Sequence, residues 1–358
     1  MRNPLLLLSL VAVTTALQAA EIADKLVIAH RGASGYLPEH TLEAKVLAFA
    51  QGADYLEQDV VMTRDDELLV FHDLTLERTT DVAQVYPDRA RADGSWYVID
   101  FTLEELRRLQ VSEAKRVQQG QEMPVFPGRF PINSGSFRVH TLQEELALIE
   151  GLRQSTGRTV GIYPELKSPW FHHQHGKDLA TATLSVLREH GYVGKDDPVL
   201  VQSFDWPELV RVHEQVLPAL GMSVRLVQLI AENEWQETFA RTAAGEWIGY
   251  DYGWMHSEAG VSKLATVVDG VGPGYDMLLN DAAAGEAPVA NSFTTWAHAA
   301  GLEVHPYTFR SDEGQLPGWV QSFDQLLEFF LFKVGVDGVF TDYPDKAVAV
   351  VRSRVDAR

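Results

Sequence analysis

The 358-residue sequence contains no cysteine. That absence excludes disulfide staples, thiolate catalysis and cysteine zinc sites. It also excludes lipid attachment at a cysteine after leader removal, so the chain is not expected to be a lipoprotein. A chain of this length needs no staples, because its core is large enough to hold it together. Positive charge is scarce: 30 Lys and Arg stand against 50 Asp and Glu, a net charge of −20. So acidic a surface repels nucleic-acid backbones and anionic membranes, and neither is expected as a partner. An anionic substrate would then need a locally positive site or a metal ion. The N-terminal apolar run is too short for a comfortable membrane span and no other run is long enough, so no stable insertion is expected. No Gly-x-Gly-x-x-Gly fingerprint follows a strand, which argues against a dinucleotide fold.

What is present is ordinary globular composition, with 46% hydrophobic residues. Arg2, the apolar run from Leu5 to Leu17 and the small residues Ala16, Ala19 and Ala20 read as a leader peptide over residues 1–20. The mature domain is then expected over 21–358. Within it, strand-like runs alternate with helix-like periodicity. Strands are predicted at Leu26–Ala29, Tyr55–Met62, Val160–Leu166, Val199–Phe204, Ser223–Leu229, around Gly270, at Leu302–Tyr307 and at Gly338–Thr341. About eight such units point to an α/β fold, a closed (β/α)8 TIM barrel. Two stretches break the rhythm. Residues 74–139, rich in Pro, Gly and Asn, read as a small insertion in an early strand–helix loop, and Ala231 to Leu264 is a second excursion.

Polar residues concentrate where strands end. His30, Arg31 and Gly32 close the first, while Glu57 and Asp59 sit two apart on the second and so share a face. Glu165 and Lys167 repeat that spacing on the third. In a barrel such ends converge on one mouth. A lone strand-end carboxylate is more often a loop cap than a ligand, but three at one mouth repel one another unless a cation neutralises them. An all-oxygen set suits Ca²⁺ or Mg²⁺ rather than Zn²⁺. His72 follows from local geometry. A hairpin centred between Asp65 and Asp66 sets it opposite Asp59, with Cβ atoms roughly 5 Å apart. The His172-His173-Gln174-His175 run reads as an exposed or rim loop rather than a metal tract. His40, His140, His190 and His213, in or beside helices, read as ordinary.

Taken together, the motifs His30-Arg31-Gly32, Pro38-Glu39-His40-Thr41, Glu57-x-Asp59, His72-Asp73, Glu165-x-Lys167, Gln202-Ser203-Phe204, Pro306-Tyr307-Thr308 and Thr341-Asp342-Tyr343-Pro344 form an ordered set. In that order and spacing they resemble the glycerophosphodiester phosphodiesterase family, in its periplasmic bacterial branch. The resemblance spans Leu26 to about Val350. It implies hydrolysis of small glycerophosphodiesters in the periplasm with a divalent metal, commonly Ca²⁺. It implies His30 and His72 as the acid–base pair and Glu57, Asp59 and Glu165 as metal ligands. Arg31 and Lys167 fall beside the phosphate, and Phe204 and Tyr307 are expected as walls of the substrate site. Departures are His40, where many members carry Asn, and Tyr307, where cytoplasmic relatives carry Trp. Rival readings are a barrel enzyme acting on intact lipids and a non-enzymatic surface-binding protein on the same fold.

Overall fold

The computed structural model describes residues 25–283 and 286–356. The predicted leader lies outside them. The strands are numbered along the chain. β1 (Leu26–Ala29) and β2 (Tyr55–Met62) open the barrel, and β3 (Leu68–Val70) folds back antiparallel on β2. β4 (Lys115–Gln118) and β5 (Gln121–Pro124) form a hairpin inside the insertion. β6 (Gly161–Leu166), β7 (Leu200–Ser203) and β8 (Arg225–Ile230) resume the barrel, and β9 (Phe239–Arg241) with β10 (Trp247–Gly249) make an outlying hairpin. β11 (Gly270–Pro273), β12 (Glu303–Val304) and β13 (Gly338–Thr341) complete it.

The eight barrel strands run in the order β12-β11-β8-β7-β6-β2-β1-β13, all pairs parallel. Closure comes from backbone bonds between the two ends: Asp337 N donates to Val304 O at 3.0 Å, and Phe309 N donates to Phe340 O at 2.8 Å. β12 is shorter than the predicted 302–307: His305 N and Tyr307 N still donate to Val271 O and Pro273 O, but Pro273 and Pro306 have no N–H to complete the ladders on either side. Every residue of β2 is buried, as expected where helices cover one face and the barrel interior fills the other. Ile28, Tyr55, Tyr163, Leu200, Val227 and Phe340 fill that interior. The larger core lies between strands and helices, where truncating a fully buried residue such as Leu56 to Ala costs about 2–5 kcal/mol.

Helix boundaries follow local chemistry. In Leu42–Gln51 the Thr41 side chain accepts from Ala44 N, and Gly52 ends the helix at φ 97°. Leu142–Thr156 opens with a reciprocal capping box between Thr141 and Glu144. Residues 74–139 pack around their own core of Leu76, Val82, Val98, Phe101 and Leu106, anchored on Val61 and Leu69 of the β2–β3 hairpin.

That hairpin corrects the predicted register. Val60 pairs with Val70 and Met62 with Leu68, so Phe71, not His72, lies opposite Asp59. The turn spans three residues: Thr63 N donates to Glu67 O at 3.0 Å, and Asp66 adopts φ 65°. An odd loop centres the hairpin on Asp65 and shifts every partner by one. The His172 run is corrected as well. His172, His173 and Gln174 lie in a helix, Pro169–Gln174, capped by His175, rather than in a loop. The last three residues of the run are exposed as expected, but His172 is buried and its Nε2 accepts from Met62 N at 3.0 Å. His173 pairs with Glu208, and His175 Nδ1 donates to Phe171 O. These are structural contacts.

Candidate active site

A cavity of about 380 Å³ opens at the C-terminal ends of the barrel strands. Every site residue singled out in the sequence lines it: His30, Arg31, Glu57, Asp59, His72, Glu165, Lys167, Phe204 and Tyr307. Strand register explains the convergence. Asp59 on β2 pairs with Glu165 on β6, and Glu165 pairs with Gln202 on β7, so these side chains share one layer of the barrel. In the sequence Gln202 stands out only as part of the Gln202-Ser203-Phe204 motif. Its buried Oε1 has no hydrogen-bond partner, which leaves an acceptor at the cavity wall.

The loop after β1 is held tightly. A Cβ on Gly32, at φ 88°, would lie 2.8 Å from the Ala44 backbone, so this glycine is required by the approach of helix 42–51 rather than by a ligand. Arg31 and His40 both adopt left-handed backbone, φ 59° and 55°, and His40 N donates to Arg31 O at 3.0 Å. Such conformations cost about 1–3 kcal/mol each in non-glycine residues. They turn Arg31 N onto Glu57 Oε2 at 2.5 Å and His40 Nε2 to within 2.7 Å of Asp59 Oδ2. His40, read as ordinary, is therefore part of the site. Its signal is the Pro38-Glu39-His40-Thr41 motif, in which it replaces the more usual Asn, but helix adjacency concealed it. His140 is a structural partner of Glu145, and His190 and His213 are exposed.

Burial and charge shift the carboxylates in opposite directions. Burial raises Glu57 well above the ordinary carboxylate range, and the negative charge of Asp59 adds to it. Glu165 is raised for the same reasons against the pull of Lys167, whose Nζ lies 3.0 Å from its carboxylate. Burial alone would raise Asp59 too, but His72, His40 and Lys167 outweigh it and hold Asp59 well below. Asp59 Oδ1 is buried with no hydrogen-bond partner. Ligand atoms of His40, Glu57 and Asp59 lie within 4.8 Å of one another. A crowded set of carboxylates with an orphaned oxygen fits a divalent cation, which would relieve both the repulsion and the missing contact.

The two histidines are held alike. His30 Nδ1 lies 2.6 Å from Asp342 Oδ1, and His72 Nδ1 lies 2.5 Å from Asp73 Oδ1. Burial and the Arg31 charge bring His30 down to about 4. Burial, Arg31 and Lys167 bring His72 down to about 3. Both imidazoles are thus neutral near pH 7, with Nδ1–H given to a carboxylate and Nε2 left as the basic nitrogen. Lys167 Nζ lies 3.3 Å from His72 Nε2. Arg31 is fixed by Glu39, which also takes Arg78. Phe204 and Tyr307 meet edge to face at 5.8 Å, and the Tyr307 hydroxyl donates to Ile230 O at 2.6 Å. The second excursion adds Trp235 and Glu237 to the rim.

This combination, two carboxylate-held imidazoles beside two cations and an anionic pocket, suits proton transfer around a phosphoryl group. Comparison with known proteins agrees. Residues 30–346 match the model of the glycerophosphoryl diester phosphodiesterase family. The chain is 48% identical over 331 residues to a glycerophosphodiester phosphodiesterase of Haemophilus influenzae, covering 92% of this chain and 90% of that one. It is 43% identical to one of Treponema pallidum, covering 94% of each. In fold it is similar to an Oleispira antarctica phosphodiesterase solved with its product sn-glycerol-3-phosphate, with a TM-score of 0.60, 22% identity and coverage of 91% and 96%.

Proposed function

The chain belongs to the glycerophosphoryl diester phosphodiesterase family, and from that membership we propose that its cavity hydrolyses soluble glycerophosphodiesters to sn-glycerol 3-phosphate and an alcohol. Glycerophosphocholine and glycerophosphoethanolamine are the substrates proposed. The observation that carries this reading is the convergence of His30, His72, Arg31 and Lys167 on one cavity beside the carboxylate cluster.

A phosphodiester is a monoanion with a poor alkoxide leaving group. Arg31 offers a planar donor fork and Lys167 a point charge to its nonbridging oxygens. Both imidazoles accept protons at Nε2, and the bound anionic diester favours a proton on one of them. That imidazolium protonates the departing alkoxide while the other imidazole takes the proton from the attacking nucleophile, each transfer worth roughly 10²–10⁴ in rate. Phe204 and Tyr307 wall the glycerol side. Glu57, Asp59 and Glu165, with His40 beside them, would hold the divalent ion; their carboxylates suit Ca²⁺ or Mg²⁺, of which Ca²⁺ is the one proposed. Such an ion, when bound, polarises the phosphoryl group and stabilises its developing charge. The leader-like residues 1–20 and the lack of cysteine support export to the periplasm as a soluble protein in which residues 21–358 form one barrel domain.

The test is release of glycerol 3-phosphate from glycerophosphocholine by wild type and His30→Ala, with and without chelator. The expected result is loss of at least about 100-fold in the variant, and loss on chelation that Ca²⁺ restores better than Mg²⁺. Rates unchanged by both treatments would overturn the reading.

A further inference from the structure

We infer that Arg129, carried by the insertion, is a positioning residue: it fixes Asp342 so that His30 presents Nε2 to the cavity. The inference rests on the reading that His30 transfers a proton in the reaction. Asp342 divides its two oxygens. Oδ1 takes His30 Nδ1 at 2.6 Å, and Oδ2 takes Arg129 Nη2 at 2.5 Å and Arg310 Nε at 3.0 Å. A carboxylate with one oxygen unengaged can swing and release its imidazole; with both engaged it cannot.

Arg129 is itself held from every side. Its Nε and Nη2 meet the two oxygens of Asp312 at 2.8 and 2.7 Å, and its guanidinium lies 3.9 Å from the centre of the Phe126 ring. Asp312 is held in turn by the Tyr343 hydroxyl at 2.8 Å. Arg129 Nη1 also donates to Ser34 O at 3.1 Å, and Ser34 Oγ donates to His30 O at 2.8 Å. One guanidinium therefore grips both the carboxylate that orients His30 and the loop that carries it. The Arg129 side chain is only 4% exposed, against 29% for Arg310, so the buried share of this contact belongs to the insertion. Only a planar, multidentate cation serves Asp312, Asp342 and Ser34 together; lysine cannot. Without it, two buried carboxylates would face each other across the space it fills.

The experiment uses the full chain and glycerophosphocholine, with Arg129→Lys, Arg129→Met and His30→Ala measured in parallel. Arg129→Lys should lower kcat about 10-fold and Arg129→Met about 100-fold, with KM within about twofold of wild type. Methylguanidinium should restore part of the Arg129→Met loss and none of the His30→Ala loss. Nitrogen-15 spectra of labelled histidine should show one tautomer of His30, protonated at Nδ1, in wild type and a mixture in Arg129→Met. Where Arg129→Met does not fold, Arg129→Lys decides, since it keeps the charge and most of the volume. Wild-type kcat in Arg129→Lys, or a loss confined to KM, overturns the inference while an inactive His30→Ala leaves the reaction standing. An active His30→Ala would remove the proposed role of His30 instead.

Discussion

On one side of the cavity His30 meets Asp342, and Asp342 meets Arg129; on the other His72 meets Asp73, and Asp73 meets Arg78. Both chains run imidazole, carboxylate, guanidinium, and both arginines come from residues 74–139. They differ in how they are assembled. The His72 chain is local, its members one and five residues apart, and its side chains are 22–29% exposed. The His30 chain joins residues 312 and 213 apart in sequence, and its side chains are 2–10% exposed. A local, half-exposed chain is cheap to form and tolerates repair by water. A buried one is fixed by the closure of the barrel and has no solvent to replace a lost partner. The insertion thus does more than shape the mouth, because it supplies the far end of both chains.

The widest gap between the two sides is expected in the orienting carboxylates. Asp342→Asn should lower kcat by about 10²–10⁴, since a buried amide can hold the wrong tautomer. Asp73→Asn should cost about 10-fold. Equal losses, measured as glycerol 3-phosphate release, would erase the distinction. Stability should separate the arginines next. In urea unfolding, Arg129→Met is expected to cost about 3–5 kcal/mol, the cost of stripping a buried pair of its cation. Arg78→Met, partly exposed, is expected to cost about 1 kcal/mol. A larger loss for Arg78 would reverse the assignment of the buried anchor.

A smaller effect concerns pH. Glu113, buried in the insertion with Oε2 unpartnered, is raised from 4.5 to about 8 by burial, against the pull of Arg129. The folded chain keeps a proton there that the unfolded chain gives up near 4.5. This contribution is therefore full below that value and is lost as pH rises toward 8, with a slope of at most about 1.4 kcal/mol per pH unit. Glu113→Gln should flatten the decline, and an unchanged slope would show that another group sets it. Asp73 and Asp342 work with the opposite sign. Both are held below the ordinary carboxylate range, so their contribution is present above that range and is lost on acidification.

Much of this molecule was legible in one dimension. The bounds of β1, β2 and β13 match the predicted strands, because short apolar runs at the ends of turns leave little else for the backbone to do. The two-residue spacing of Glu57 with Asp59, and of Glu165 with Lys167, placed each pair on one face by the pleat alone. His72 was brought to the site for a reason only half right. The hairpin is there, but its odd turn moved the register by one, and that depends on which of Arg64, Asp65 and Asp66 takes the left-handed backbone. His40 was missed because its role depends on a positive φ that helix adjacency does not announce.

The alternation of strands and helices, the faces of the strand-borne carboxylates and the proximity of His72 to Asp73 can be read along the chain, because each depends on interactions within a few residues. Tertiary structure alone decided that Asp342 meets His30, that Arg129 reaches across from the insertion to hold it, and that Asp59, Glu165 and Gln202 share a layer. Those contacts exist only once the barrel closes between β12 and β13, when the entropy of joining distant segments has been offset by the core packed around them.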